Sequence, residues 1–463
     1  MRLLALGLLA SLLTAQPLWA EETSRAALDK YRWKEDYSYL AFQPADQDLY
    51  DTIKHLDLNA DGSAYLSLGG SLRERYEYAS NPVFGQDPQD PGGAWLQRAN
   101  LHLDLHWGPH VRVFTELSSA LVEGRAAGPG PVDQNKLDLL NAFADLSLPL
   151  SDDWGVALRL GRQELEYGSG RLVDVREGTN VRRSFNAVQP VLTLPDWRVA
   201  GVAARPVRNV DGVFDDEANE GVALWGVYAV GGADLLPAGS LDLYYLGFHD
   251  DAGSFVQGTA AETRHSLGTR VWGAEAGWDW NWEAVFQFGT FGAGNIRAWT
   301  LASETGYTFD RAFLSPRLAL RANIASGDKD ENSPDLQTFN PLFPRGNYFS
   351  QAAVLGPRNF FNINPHLNLQ ITDSLSINAD VNFYWRLSRQ DGVYAPSGQI
   401  IRAPGGSQAR YVATGISLEI PWQITRELDV AAIYTHLEPG SFIRQTGSDD
   451  PIDFVELTAR FRF

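Results

Sequence analysis

Strict alternation of apolar and polar residues is the feature of this sequence that most restricts its fold. In one segment Leu375, Ile377 and Ala379 alternate with Ser376 and Asn378. Because successive side chains of a strand point to opposite faces, such a segment predicts a strand with one apolar and one hydrated face. The pattern recurs in about eighteen segments between residue 64 and the C-terminal Phe463.

The connections between these segments sort by length. Short ones, such as 108–109 and 372–373, alternate with long ones near 80–94, 121–138, 165–186, 208–220, 327–360, 388–408 and 438–451. Short turns at one rim and long loops at the other are typical of a transmembrane β-barrel, and a soluble β-sandwich is the less fitting alternative. The sequence therefore predicts an all-β fold, an antiparallel transmembrane barrel of about 18 strands over 61–463, with short periplasmic turns and long extracellular loops.

The N-terminus predicts export. Arg2 precedes the apolar run Leu3–Leu13, and Pro17–Ala20 leads into two acidic residues, so residues 1–20 are expected to be a signal peptide. Residues 21–60 show no period and are expected to form a periplasmic segment. Together with the barrel, this predicts the outer membrane of a Gram-negative bacterium.

Composition narrows the function classes. The chain has no cysteine, which excludes thiol catalysis and disulfides. A formal net charge of −19 argues against nucleic acid as a partner. Lys and Arg total 38, of which only five are lysine, so 33 are arginine. The guanidinium group of arginine binds carboxylates through two parallel hydrogen bonds. A GC-rich genome is the alternative reason for a high arginine content.

The stretch Gly161–Phe185, GRQELEYGSGRLVDVREGTNVRRSF, concentrates charge and glycine. Taken alone, this composition indicates a solvated surface loop. Because it follows the fifth predicted strand, it belongs to the outer rim and is able to fold inward, and a ring of arginines selects anions. The predicted substrate pathway comprises Arg162, Arg171, Asp174, Arg176, Glu177, Arg182 and Arg183 in the stretch, and Arg73, Arg75, Arg98, Arg112, Arg321, Arg386, Arg460 and Arg462 on strands. The alternative is that these arginines pair with acids and hold loops in place.

That stretch, with TFNPLFP at 338–344 and GNYF at 346–349, resembles the alginate-export family of outer-membrane barrels. The resemblance implies an eighteen-stranded monomeric barrel whose arginine-lined constriction passes an acidic exopolysaccharide outward. It implies a role for the motif arginines Arg162, Arg171, Arg176, Arg182 and Arg183. Expected partners are the anionic polysaccharide, outer-membrane lipid and lipopolysaccharide, with periplasmic export components as further candidates.

Other functions are less well supported. A porin for small organic acids or aromatic compounds is the main alternative; an outer-membrane enzyme and a plugged structural barrel are the others. The eight histidines are scattered, and His102, His106 and His110 do not share one strand face. The run 327–332 resembles part of a calcium loop but lacks its terminal glutamate. No catalytic residue, metal or cofactor is predicted.

Overall fold

Eighteen antiparallel strands form the wall of a closed barrel. The computed structural model describes residues 28–42, 49–232 and 238–463, and the predicted signal peptide lies outside these ranges. In chain order the strands are β1 Ala64–Ala79, β2 Ala94–Trp107, β3 Val111–Glu123, β4 Asn135–Pro149, β5 Gly155–Gln163, β6 Phe185–Thr193, β7 Trp197–Arg208, β8 Val222–Gly232, β9 Gly239–Phe255, β10 Gly258–Glu275, β11 Trp278–Phe291, β12 Gly294–Thr308, β13 Arg317–Ala325, β14 Phe360–Thr372, β15 Leu375–Trp385, β16 Tyr411–Gln423, β17 Leu428–Pro439 and β18 Ile452–Arg462.

Closure joins the last strand to the first. Each strand pairs with its neighbours in sequence, and β1 pairs with β18 in a register running from Ser71 opposite Arg462 to Ala79 opposite Phe454. A closed barrel leaves no strand edge facing lipid, where an unpaired backbone group would cost several kcal/mol. The predicted fold and strand number are confirmed.

The two faces of the wall differ in chemistry and in burial. On β2, Leu101 and Leu103 are 53% and 46% exposed, whereas the intervening His102 is 2% exposed and Asp104 is 4% exposed. The exposed apolar face is the one that meets lipid. Inward polar side chains of a water-filled lumen would be exposed, so their burial means that other parts of the chain pack against the inner wall.

Long connections gather at one end, the outer end in this class of barrel. They are 80–93, 124–134, 164–184, 209–221, 326–359, 386–410 and 440–451. Two outer connections are short: 292–293 joins β11 to β12, and 256–257 joins β9 to β10. At the inner end the connection 309–316 is longer than a tight turn.

A few short elements accompany the barrel. They are single helical turns at Arg32–Lys34 and Ser38–Phe42, helices α1 Leu49–Lys54 and α2 Ser441–Thr446, a turn at Pro82–Gly85, and short strands at Leu56–Asp57, Glu217–Ala218, Val393–Tyr394 and Ile400–Arg402. In the described ranges, no helix has the length and apolar character needed to cross a membrane.

Candidate functional site in the barrel lumen

Residues 164–184, hereafter the inward loop, fold into the lumen. The loop runs beside the outer loop 326–359: Asp174 N–H donates to Phe343 O at 2.9 Å, and Phe343 N–H donates to Leu172 O at 2.8 Å. Its apolar residues Leu172, Val173 and Val175 are at most 4% exposed. Burial of these apolar side chains is favourable and offsets the cost of removing the loop's charged groups from water. It therefore holds the loop inside the lumen.

Three wall arginines stand in one row opposite this loop. The registers of β18, β1 and β2 place Arg460 opposite Arg73 and Arg73 opposite Arg98. Directly opposed residues have Cβ atoms about 5 Å apart, so like charges there destabilise the sheet unless an anion lies between them. Such a row therefore requires a counter-ion from elsewhere in the chain.

Glu177 of the inward loop supplies that anion. Its carboxylate forms an ion pair with Arg98, lies 3.3 Å from Arg460 Nη1 and lies 3.0 Å from Arg182 Nε. Arg73 donates through Nη1 to the Glu177 carbonyl at 3.0 Å. Arg75 contacts Glu456 at 3.3 Å and donates to the carbonyl of Gly178. We call Arg73, Arg75, Arg98, Arg182 and Arg460 the arginine cluster.

The charges around Glu177 set its ionisation. Burial would raise the pKa of Glu177, but the guanidinium groups of Arg98 and Arg182 hold that pKa well below its usual range. The carboxylate therefore stays charged at every pH the outer membrane meets. Its side chain is still 26% exposed, so the centre of the arginine cluster remains open to lumen water.

Arg182 joins the two ends of the inward loop. Besides Glu177, its Nη2 lies 2.8 Å from Glu164 Oε1, next to the end of β5. Burial raises the pKa of Glu164 to about 7, with the neighbouring Glu116 acting in the same direction and Arg182 opposing both. Glu164 and Glu116 share the amide of Asn141, which donates to Glu164 Oε2 at 3.1 Å and to Glu116 Oε2 at 2.8 Å.

The remaining predicted arginines contact partners away from the arginine cluster. Ion pairs hold Arg171 to Glu283 at 3.0 Å, Arg321 to Glu304 at 3.0 Å and Arg112 to Asp104 at 2.7 Å. Arg462 is the exception, since its partner Asp429, at 2.5 Å, also contacts Arg460 of the cluster at 3.1 Å. Arg386 donates to backbone carbonyls, including Ala409 O at 2.7 Å.

Within the inward loop, Arg176, Arg183 and Asp174 serve its own fold. Arg183 donates to Asp174 O at 3.1 Å and lies over the Phe343 ring at 5.2 Å. Asp174 accepts the Arg176 N–H at 2.6 Å, in a turn where Arg176 has φ 57°. Burial lowers the pKa of Arg176 to about 10, which still leaves it charged at neutral pH.

Arg162 is also apart from the arginine cluster. It lies on β5 with the strand phase opposite to Arg159, whose guanidinium lies 4.3 Å from the ring of Trp33 inside the barrel. Arg162 instead pairs with Asp138 at 3.0 Å and donates to Asp216 O at 3.1 Å, under the outer loop 209–221. Its predicted membership of the substrate pathway has no contact in the structure to support it, and the inward Arg159 was missed.

Residues 28–42, the N-terminal strap, also occupy the lumen. Arg32 donates to Gly70 O at 3.1 Å and to Phe463 O at 2.7 Å, where β1 meets β18. Lys30 Nζ lies 3.0 Å from Glu166 Oε1 of the inward loop. Tyr31 between them is 1% exposed. The strap thus lies beneath the inward loop and contacts both it and the wall.

The three histidines at 102, 106 and 110 do not converge on a metal site. His102 stacks on Phe114 at 5.4 Å, His106 lies 3.2 Å from Asp104, and His110 bonds Ser147 O at 2.9 Å. Among the residues that the structure describes, one group of acids has the spacing of metal ligands: Asp138, Asp215 and Asp216. It lies outside the run 327–332.

Comparison with known proteins agrees with this architecture. Residues 64–452 match the family model described as alginate export. No curated protein matches the chain. Similar solved structures include three from Pseudomonas aeruginosa. OccD3 (OpdP) has a TM-score of 0.56 at 12% identity, covering 86% of this chain and 91% of that one. OccK2 (OpdF) in complex with glucuronate has a TM-score of 0.55 at 11% identity, covering 90% and 99%. OpdK with vanillate has a TM-score of 0.55 at 10% identity, covering 88% and 99%. At these identities the likeness shows the fold alone.

Proposed function

The chain belongs to the alginate-export family, and from this premise we propose that it is a passive channel that conducts an anionic, alginate-like polysaccharide outward past the arginine cluster. Its family and fold are those of a channel of the Gram-negative outer membrane. The observation that supports the substrate is the row Arg460, Arg73 and Arg98. The Glu177 carboxylate contacts Arg98 and Arg460, and Asp429 of β17 is a second partner of Arg460 at 3.1 Å.

A polyuronate carries carboxylates, the same group that Glu177 presents to the arginine cluster. Each sugar unit of such a polymer carries one carboxylate, and a guanidinium binds carboxylates through paired, charge-assisted hydrogen bonds. Substrate carboxylates are therefore expected to exchange with Glu177 among the five arginines of the cluster. Conduction needs sites that bind the polymer and then release it. Because Glu177 competes with the substrate for the same arginines, it lowers the affinity of each site and allows release.

Passage also requires movement. The inward loop and the N-terminal strap fill the lumen that a polymer would cross, linked through Lys30 and Glu166. We infer that this conformation is the closed state and that the strap moves aside during export. In this proposal residues 1–20 are removed, the segment 21–60 belongs to the periplasmic side with its strap inserted in the lumen, and periplasmic export components reach the strap. The channel is a monomer held in lipid and lipopolysaccharide, and nucleic acid is not a partner.

Efflux from proteoliposomes tests the proposal. Fluorescently labelled oligouronates loaded inside are expected to leave faster than neutral dextran oligomers of equal size. Replacing Arg73 and Arg98 together with alanine is expected to slow that efflux at least tenfold, whereas Arg297→Ala, on the exposed face of β12, leaves it unchanged. Equal rates for charged and neutral oligomers, or an unaffected double variant, would contradict the proposal.

A porin for small organic acids or aromatic compounds is the second candidate. It is favoured by the fold likeness to barrels solved with glucuronate and with vanillate. The same vesicles separate the two functions: a small-acid porin would pass monomeric glucuronate and exclude the oligomers. Growth on defined organic acids, with and without the gene, then distinguishes uptake from export.

A further inference from the structure

Three aspartates meet at the outer end of the barrel, away from the arginine cluster. Asp138 lies near the start of β4, and Asp215 and Asp216 belong to the loop 209–221. One carboxylate oxygen of each lies within 4.8 Å of those of the others. Calcium holds oxygen ligands at about 2.4 Å, so two ligands of one ion are at most about 4.8 Å apart. The spacing is that of atoms able to share one cation.

A buried amide oxygen without a hydrogen-bond partner lies beside the same group. Asn135, also at the start of β4, is 5% exposed. Its Nδ2 donates to Asp216 Oδ2 at 2.8 Å, which fixes the amide beside the carboxylates, while its Oδ1 has no hydrogen-bond partner. A buried acceptor left unpaired costs about 1–3 kcal/mol. A cation bound by this oxygen would remove that cost.

The space between these groups fits one small ion. A cavity of about 20 Å³ is lined by Asn135, Asp138 and Asp216 and, among other residues, by Arg182. The Arg182 guanidinium itself is held by Glu164, Glu177 and Lys30 O. A cavity of roughly 10–15 Å³ already holds one water molecule. The cavity is therefore large enough for a single ion and too small for an organic ligand.

The charges of the group are not balanced by the chain. The contacting cation is Arg162, whose Nη1 lies 3.0 Å from Asp138 Oδ1. Lys136, the next residue after Asn135, turns to Asp211 at 3.4 Å instead. Asp138 Oδ2 accepts the Asp216 N–H at 2.9 Å and Asp216 Oδ1 accepts the Val210 N–H at 2.7 Å. Asp138 Oδ1 also accepts the Leu139 N–H at 2.7 Å, so both of its lone pairs are used. Asp138 Oδ2 and the two Asp216 oxygens accept one bond each and keep a lone pair for a metal. Three carboxylates against one guanidinium leave a deficit of two positive charges.

We propose that Asn135, Asp138, Asp215 and Asp216 bind a calcium ion that fastens loop 209–221 to the outer end of β4. The four side chains supply four oxygens in an irregular arrangement, and water completes the six to eight that calcium takes. Magnesium fits less well because it demands a regular octahedron and gives up water reluctantly. The loop already follows β4, with Phe214 N–H donating to Leu137 O at 2.9 Å, and the ion reinforces that contact.

Calcium titration of the full-length protein, refolded in detergent and stripped with EDTA, tests the site. Isothermal titration with CaCl₂ is expected to give a Kd of about 10⁻⁴–10⁻³ M, the range of extracellular sites. The double variant Asp215→Asn/Asp216→Asn is expected to bind at least tenfold more weakly. Asp211→Asn, an acid of the same loop outside the group, is the matched control and keeps wild-type affinity.

Trypsin supplies a second readout that needs no heat signal. Arg208, at the border of the loop, has a 59% exposed side chain, and calcium is expected to slow cleavage there severalfold in wild type and not in the double variant. If the double variant fails to refold, the exposed Asp215→Asn alone takes its place. Absence of binding and of protection in wild type, or equal values in variant and wild type, would overturn the proposal.

Discussion

Arg182 and Glu177 are bound to each other inside the lumen, with Arg182 Nε 3.0 Å from Glu177 Oε2. Arg182 also reaches Glu164, and Glu177 also reaches Arg98 and Arg460 of the wall. The pair therefore links both ends of the inward loop to two wall strands, β18 and β2. Loosening this pair is expected to change both the stability and the selectivity of the channel.

Removing the anion of the pair tests that expectation. Glu177→Gln leaves the cluster arginines without their central counter-ion, which is expected to destabilise the barrel by about 1–3 kcal/mol, less than a fully buried pair because Glu177 is partly exposed. Urea unfolding in lipid vesicles measures it. The same variant is expected to bind oligouronates more tightly, since the internal competitor is gone.

The control for Glu177→Gln is Glu275→Gln, at the exposed inner end of β10. It is expected to match wild type in both measurements. Weaker oligouronate binding by Glu177→Gln would show that the carboxylate helps to hold substrate and does not compete with it.

A reversible cross-link between the strap and the inward loop tests whether the strap must move during transport. Because the chain has no cysteine, Lys30→Cys/Glu166→Cys creates the only thiols, at two side chains that lie 3.0 Å apart. Bridging them with a short, reducible bis-thiosulfonate is expected to hold the channel closed, and reduction to restore conductance. Each single-cysteine variant with the same reagent is the control, and unchanged conductance after confirmed cross-linking would place the strap outside the pathway.

Arg32 is expected to set how firmly the strap is seated. Arg32→Ala removes the two bonds to Gly70 O and Phe463 O, each worth about 1.5–3 kcal/mol for a charged donor. The open fraction in bilayer recordings is expected to rise at least tenfold. Lys34→Ala, a cation on the exposed side of the strap, should leave it near wild type, and an equal effect of both changes would point to general loss of charge.

Glu164 is expected to make stability depend on pH. Its folded-state pKa of about 7 lies above the ordinary 4.5, so between those values the folded protein holds a proton that the unfolded chain has released. Its contribution to stability is therefore highest below pH 4.5 and falls, by about 1–3 kcal/mol, as pH rises through 7. Urea unfolding at pH 5 and pH 8 measures this, and Glu164→Gln is expected to remove that part of the dependence.

The wall of the barrel could be predicted from the sequence because its cause is local. In lipid every strand must pair and turn its apolar face outward, so alternation and loop length alone give the strand order, as β2 with Leu101 and Leu103 illustrates. The place of the inward loop after β5 followed from that order.

Contacts between distant segments could not be predicted in this way. The row Arg460, Arg73 and Arg98 depends on the register between the first and last strands. The strap at 28–42 shows no hydrophobic period that would place it in the lumen. Its dense run of aromatic and charged residues from Lys30 to Tyr37 was the one sequence feature that could have marked it. Glu177 and Asp174 look equivalent in sequence, yet only Glu177 meets the wall arginines.

The reversal potential in a planar bilayer tests the central claim most directly. Under a salt gradient across the membrane, the open channel is expected to show anion selectivity that oligouronate blocks from the periplasmic side, and Arg73→Ala/Arg98→Ala is expected to abolish both, while Arg297→Ala preserves them. A cation-selective wild-type channel that oligouronate does not affect would contradict the account.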